Sequence, residues 1–217
     1  MDLIHFTFND FQENTYVLFD ESLSCVIVDP GNSNEAEDRE LMDAIAARNL
    51  KPVAIINTHC HLDHILGNLV CKNRFKIPVY MHRKDLPILN LADQSSKLWG
   101  VSFRGAPEPD GFLEGGEIYS FGNTSLEILF VPGHSPGHIA LYHAASSNLI
   151  AGDVLFKGST GRVDLPFCNG GDLCQSIQEK IYTLPDETIV WSGHGPETST
   201  GDEKRSNPIV RPGFCGL

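Results

Sequence analysis

A layered α/β fold is the architecture this 217-residue sequence predicts. Short apolar runs rich in β-branched and aromatic residues recur along the chain, and one amphipathic helical stripe separates the third run from the fourth. That fourth run, Val53 to Ile56, stops abruptly at a dense cluster of histidines with an aspartate. Strand, helix, strand and then a polar junction is the pattern of helices layered on a sheet with chemistry at the strand ends. The length suffices for one sizeable core, so a single domain over residues 1–217 is the expectation.

Residues 3–8, 15–19 and 24–28 are separated by Asn-Asp and Asp-Glu-Ser turn signals, which predicts an antiparallel meander. Pro30 and Gly31 end the third strand and leave Asp29 at its tip. An acceptor-only carboxylate there either fixes the tautomer of a ligating imidazole or serves an ordinary turn. Glu35 to Asn49 sets Ala36, Leu41, Met42, Ile45 and Ala46 on one helical stripe, with Asn34 as its cap. Val53 to Ile56 is a buried strand, Leu66, Leu69 and Val70 follow at helical spacing, and Ile77 to Met81 is another strand. Residues 83–117 begin helically, but the glycines and prolines from Trp99 to Asp110 forbid long regular structure. Such a long loop is functional or mobile, with Trp99 and Phe103 either walling a pocket or packing beneath it. Strands resume at 125–131, 139–143, 148–151 and 188–191.

Chemistry gathers at the strand ends. His59, His61, Asp63 and His64 fall within six residues at a strand-to-helix junction, which can aim several side chains at one point. Imidazoles suit zinc and iron, and the carboxylate adds charge to hold a second cation, so the cluster is half of a two-metal site. Scattered surface histidines would explain one or two of these residues and not the whole set. His134, Asp153 and His194 each follow a later strand beside glycines, and supply the partners the first cluster needs. Cys60 lies between two proposed ligands, and its side chain points to the other side, for packing. His138 supports the ligands or packs, while His5, His82 and His143 lack ligand-like neighbours and are structural or exposed.

Composition narrows the partners. Sixteen basic against 28 acidic residues give a net charge of −12, which repels a nucleic-acid backbone while leaving small anionic substrates open. No apolar run approaches the length of a membrane span and the first residues lack a basic leader, so the expectation is a cytoplasmic protein without membrane contact. Six cysteines are too sparse for a disulfide scaffold, and all are expected to be reduced.

The motif His59-x-His61-x-Asp63-His64 with His134, Asp153 and His194 resembles the ligand set of the metallo-β-lactamase superfamily. The resemblance implies a four-layer αββα sandwich, with His59, His61 and His134 on one metal, Asp63, His64 and His194 on the other, and Asp153 bridging. The segments Gly152 to Phe156, Gly161 to Asp164 and Gly193 to Pro196 further resemble the glyoxalase II-like branch, although the added C-terminal helical domain of glyoxalase II is absent. The implied activity is hydrolysis of an anionic S-acyl (lactoyl) glutathione thioester by a metal-bridging hydroxide, with Asp63 as general base. Two divalent ions are implied, zinc first and iron or manganese next. Arg162 and Lys157, on a loop tethered close after Asp153, are candidates to hold the substrate carboxylates, Arg162 with an equal prospect of simply pairing with Asp164. The competing reading is a persulfide dioxygenase with one iron, whose motifs are similar. A ligand cysteine in place of Asp153 would have pointed to antibiotic hydrolysis.

Overall fold

A computed structural model describes all 217 residues, Met1–Leu217. Their contacts divide into two compact units, Met1–Leu113 with Ser120–Ser125, and Glu114–Tyr119 with Leu126–Leu217.

The first unit begins with the expected meander, β1 (Asp2–Phe8), β2 (Glu13–Phe19) and β3 (Ser24–Val28), all antiparallel. Helix α1 (Glu35–Ala47) carries the chain over to β4 (Lys51–Ile56), which lies parallel to β3 because a parallel pair needs a crossover of this length. The Asn34 side chain accepts from the Ala36 and Glu37 amides, and the left-handed Asn49, φ 54°, turns the chain out of the helix. Next come α2 (Asn68–Phe75), β5 (Val79–Met81), α3 (Leu86–Asn90), α4 (Ala92–Trp99) and β6 (Gly111–Phe112), and the six strands form one sheet in sequence order. Phe6, Phe8, Val17, Ile27 and Ile55 pack with Leu41 and Ile45 of α1, so the apolar stripe of the helix covers the sheet. The long segment after α4 is irregular, as its prolines and glycines require, and is held by Arg104, which donates two hydrogen bonds to Asp38 and one to the Asn32 carbonyl. Phe103 packs beneath it against the cluster of Ile65, Leu66, Met81 and Ile88. Trp99 is 53% exposed and meets Phe11 edge-on at 6.2 Å.

The later elements in chain order are β7 (Ile118–Phe121), β8 (Thr124–Phe130), β9 (Ile139–His143), β10 (Asn148–Gly152), a small hairpin of β11 (Leu155–Phe156) and β12 (Ser159–Thr160), α5 (Gly170–Ser176), β13 (Ile189–Ser192), β14 (Thr198–Ser199), α6 (Thr200–Ser206) and a terminal hairpin of β15 (Val210–Arg211) and β16 (Phe214–Cys215). The six-stranded order is β14-β13-β10-β9-β8-β7, and β10 and β13 run parallel because α5 and a π-helical turn, Ile177–Ile181, lie between them. Leu173, Ile177 and Ile181 bury their side chains with Leu149, Ala151 and Val190 of the sheet.

One expectation is corrected here. Cys174 and Cys215 form a disulfide across 41 residues, with Cα atoms 6.1 Å apart, so not all six thiols are free. Count and spacing alone do not show that the terminal hairpin folds back onto α5. Cys25, Cys60, Cys71 and Cys168 remain unbonded. No helix is long and apolar enough to cross a membrane.

Candidate metal centre

In the first unit, β4 ends at Ile56 and the chain passes into a single 3-10 turn, Leu62–His64. Asn57 braces that turn, its side-chain amide donating to the His64 carbonyl at 3.0 Å and its oxygen accepting from Asn68 at 2.8 Å. The turn folds the histidines together, with ring centroids of His59 and His64 4.1 Å apart and those of His59 and His61 4.9 Å apart. Asp29, left-handed at φ 49°, sits behind them and is 1% exposed. Its carboxylate accepts from the Thr58 amide at 2.7 Å, the Thr58 hydroxyl at 2.6 Å and His64 Nδ1 at 3.2 Å. A hydroxyl has one proton, so with that proton on Asp29 the Thr58 oxygen accepts from His59 Nδ1 at 3.1 Å. This network assigns the proton of both rings to Nδ1 and leaves both Nε2 lone pairs for a ligand. Asp63 stands beside one of them, its Oδ2 3.5 Å from His64 Nε2. The donor atoms of Asp29, His59 and His64 all lie within 4.8 Å of one another, yet the Asp29 oxygens are already engaged by Thr58 and His64, which makes Asp29 a support.

Two further buried carboxylates in this unit escaped the sequence reading. Glu13 is fully buried, with Oε1 3.8 Å from His64 Nδ1 and Oε2 accepting from the Thr15 hydroxyl at 2.9 Å. Burial pushes its carboxyl well above the usual range, while His64 pulls the other way. Asp85, also fully buried, accepts from the Cys60 amide at 2.7 Å and so holds the backbone between His59 and His61. Cys60 itself packs among Leu62, Ile65 and Met81, and burial pushes its thiol up. Neither carboxylate has a local signal: Glu13 follows an Asn-Asp turn like a surface residue, and Asp85 follows two basic residues.

In the second unit the ligand candidates come from three separate strand ends. His134 lies beyond β8 in a loop where Gly133 has φ 139° and where a Cβ would meet the Leu173 amide at 2.2 Å, so only glycine lets the loop pass against α5. His134 Nδ1 donates to the Arg162 carbonyl at 2.9 Å, leaving Nε2 for a ligand. Asp153 follows β10, and its amide donates to His138 Nε2 at 3.1 Å, which gives His138 the task of holding the Asp153 backbone. His194 follows β13, in a turn joined to β10 by the Gly193 amide on the Gly152 carbonyl at 2.8 Å. One oxygen, Asp153 Oδ2, lies 3.5 Å from His134 Nε2 and 3.5 Å from His194 Nε2.

Those separations test whether the residues fit a metal. Two ligands at about 2.1 Å from a tetrahedral ion lie about 3.4 Å apart, whereas a hydrogen bond between the same atoms would close to about 2.9 Å. Three His–Asp pairs stand at 3.5 Å, with the imidazole protons turned away where the network assigns them. The donor set fits divalent cations.

The two candidate substrate residues lie on the hairpin and loop after Asp153. Lys157 is exposed in the β11–β12 turn. The Arg162 guanidinium is exposed and pairs with Asp164 through Nε at 2.6 Å and Nη2 at 2.9 Å. Of the remaining histidines, His82 accepts from the Lys84 amide, His5 bonds Asn14, and His143 bonds Ser146.

Comparison with known proteins gives a consistent pattern. The family model described as the metallo-beta-lactamase superfamily matches residues 8–194. A probable metallo-hydrolase, YqgX of Bacillus subtilis, is 39% identical over 92% of each chain. A Haemophilus influenzae protein named hydroxyacylglutathione hydrolase GloC is 35% identical over 92% of this chain and 93% of its own. Among solved structures, BLEG-1, described as a B3 metallo-beta-lactamase, superposes with TM-score 0.87 at 37% identity, covering 95% of this chain and 98% of that one. TTHA1623, solved in a di-iron-bound form, superposes with TM-score 0.86 at 37% identity over 94% and 98%.

Proposed function

The chain belongs to the metallo-β-lactamase superfamily and has its α/β fold, and from that premise we propose that it hydrolyses S-acyl glutathione thioesters with two divalent metal ions. In this reading, which the family resemblance implies, His59, His61 and His134 would hold one ion, Asp63, His64 and His194 would hold the other, and Asp153 would serve both. The observation that carries it is Asp153 Oδ2, placed equally far from two imidazole nitrogens at ligand-to-ligand spacing. Two bound cations supply a water whose pKa falls toward about 7 and a Lewis acid for the thioester carbonyl. Zinc is our first choice, and the di-iron form of a relative makes iron the second.

The chain's own residues do the rest. Asp63, with a side chain 16% exposed, orients the attacking water and accepts its proton. Asp29, Thr58 and the Arg162 carbonyl fix the ligand tautomers, so the imidazoles need no reorganisation. Lys157 is the cation we assign to a substrate carboxylate, because the Arg162 fork is taken up by Asp164. The family resemblance to a hydroxyacylglutathione hydrolase supports the substrate class.

A second reading, β-lactam hydrolysis, is favoured by the B3 metallo-beta-lactamase relative. One panel separates the two: S-D-lactoylglutathione and a chromogenic cephalosporin assayed on zinc-loaded and iron-loaded protein, with oxygen uptake on glutathione persulfide alongside. We expect thioester turnover far above the other two. Faster cephalosporin cleavage, or oxygen consumption without thioester cleavage, overturns the assignment.

A further inference from the structure

Leu165, Pro166, Phe167 and Cys168 make a tight turn in which the Cys168 amide donates to the Leu165 carbonyl at 3.2 Å. Proline at the second position and a positive φ at the third make it type II, whose third position calls for glycine or asparagine. The chain places Phe167 there, at φ 68° and 56% exposed. Both features are unfavourable for a large apolar residue: the left-handed backbone strains any side chain with a Cβ, and the ring gains little from burial.

The turn is fastened to the proposed ligand His134 from both directions. Upstream, the Arg162 carbonyl accepts from the His134 ring, and Gly161 lies so close to Asp153 that a Cβ would meet its carbonyl at 1.9 Å. Downstream, the Cys168 thiol donates to the His134 carbonyl at 2.9 Å and the Asn169 amide to the Gly133 carbonyl at 2.7 Å. Ile118, Ile189, Phe214 and Leu217 are also large and exposed in this unit, but Phe167 alone lies on the segment that clasps His134. Strain kept in a residue beside a reactive centre points to use there.

We propose that Phe167 is a specificity-determining residue whose ring forms an apolar wall for the acyl chain of the thioester. The inference rests on the thioester reading above and adds to it a preference for longer, apolar acyl groups. Glutathione is polar throughout, so the acyl chain is the part of such a substrate that an exposed phenyl ring recognises.

The test uses the metal-loaded full chain and two substrates sharing one thiol, S-hexanoylglutathione and S-acetylglutathione. In Phe167→Gly the hexanoyl-to-acetyl ratio of kcat/KM is expected to fall about tenfold, through KM for the hexanoyl ester, as loss of apolar contact predicts. The same variant is expected to melt roughly 2–4 °C higher, because glycine relieves the left-handed position. Phe167→Leu keeps an apolar side chain and the strain, so it retains most of the ratio and shows no rise in Tm. An unchanged ratio in Phe167→Gly, with wild type active on both esters, overturns the wall. A fall in Tm overturns it as well, since the ring would then be a packed scaffold. If wild-type protein cleaves neither ester, the thioester reading itself fails and the inference falls with it.

Discussion

The two units build their candidate ligands in opposite ways. In the first unit, His59, His61, Asp63 and His64 come from one continuous stretch, and His59 and His64 share one buried base, Asp29 with Thr58, with Glu13 next to His64. In the second, His134, Asp153 and His194 come from three strand ends, and each has its own tether: the Arg162 carbonyl, the His138 ring and the Gly152 carbonyl. A contiguous cluster fixes its members together, so damage to the shared base reaches His59 and His64 at once. A dispersed set is fixed piece by piece, so damage stays local. The comparison therefore predicts that substitutions of equal chemical size act differently in the two halves.

The largest effect is expected at the shared carboxylate. Asp153→Ala removes the oxygen that stands between two imidazoles, and should lower thioester kcat on the order of 10³-fold or more while leaving Tm close to wild type. Steady-state kinetics with circular dichroism melting checks both arms. Near-normal turnover would mean that Asp153 is not shared.

Next is the base of the first half. Asp29→Ala leaves the Thr58 amide and the His64 Nδ1 proton buried without their acceptor, which should cost about 2–3 kcal/mol of stability and 10–100-fold in metal affinity. His138→Ala is the matched change in the second half and should weaken metal binding while costing less stability, because it releases a single amide. Equal losses in chemical denaturation and metal titration would contradict the shared-base account.

That contrast also explains what the sequence could show. Metal ligands need particular side chains at strand ends, so His59 to His64, His134, Asp153 and His194 stand out by type and by neighbouring glycines. The meander and β4 were legible for the same local reason, through alternation and turn residues. Glu13 and Asp85 were not, because what makes them buried is a partner 51 or 25 residues away, His64 for one and the Cys60 amide for the other. The Cys174–Cys215 bond and the π-helical turn at Ile177–Ile181 are hidden likewise, both being settled by packing of the terminal hairpin and α5 on the sheet.

A buried carboxylate away from the centre sharpens the comparison by pH. Burial raises the Asp20 carboxyl, yet hydrogen bonds from Ser22, Asn123 and Thr124 outweigh it and bring the pKa to about 2. The folded value lies below the unfolded one of about 3.9, so this stability is present above pH 4 and is lost as pH falls toward 2. Asp20→Ala should thus lose about 2 kcal/mol at pH 6 and converge with wild type near pH 2 in urea titrations. A gap that persists at pH 2 would assign the loss to packing.

The smallest effect belongs to the exposed Arg162–Asp164 pair. Arg162→Ala should leave Tm and metal content unchanged and shift KM for a glutathione thioester less than Lys157→Ala does, since Asp164 already holds both donors of the Arg162 fork. A larger KM effect at Arg162 would exchange their roles.

The proposed dinuclear centre is tested most directly by anomalous diffraction from crystals of metal-loaded protein. The account predicts two metal peaks per chain, one within bonding distance of His59, His61 and His134, the other of Asp63, His64 and His194, with Asp153 in both shells. A single peak, or two peaks with Asp153 outside either shell, would contradict it.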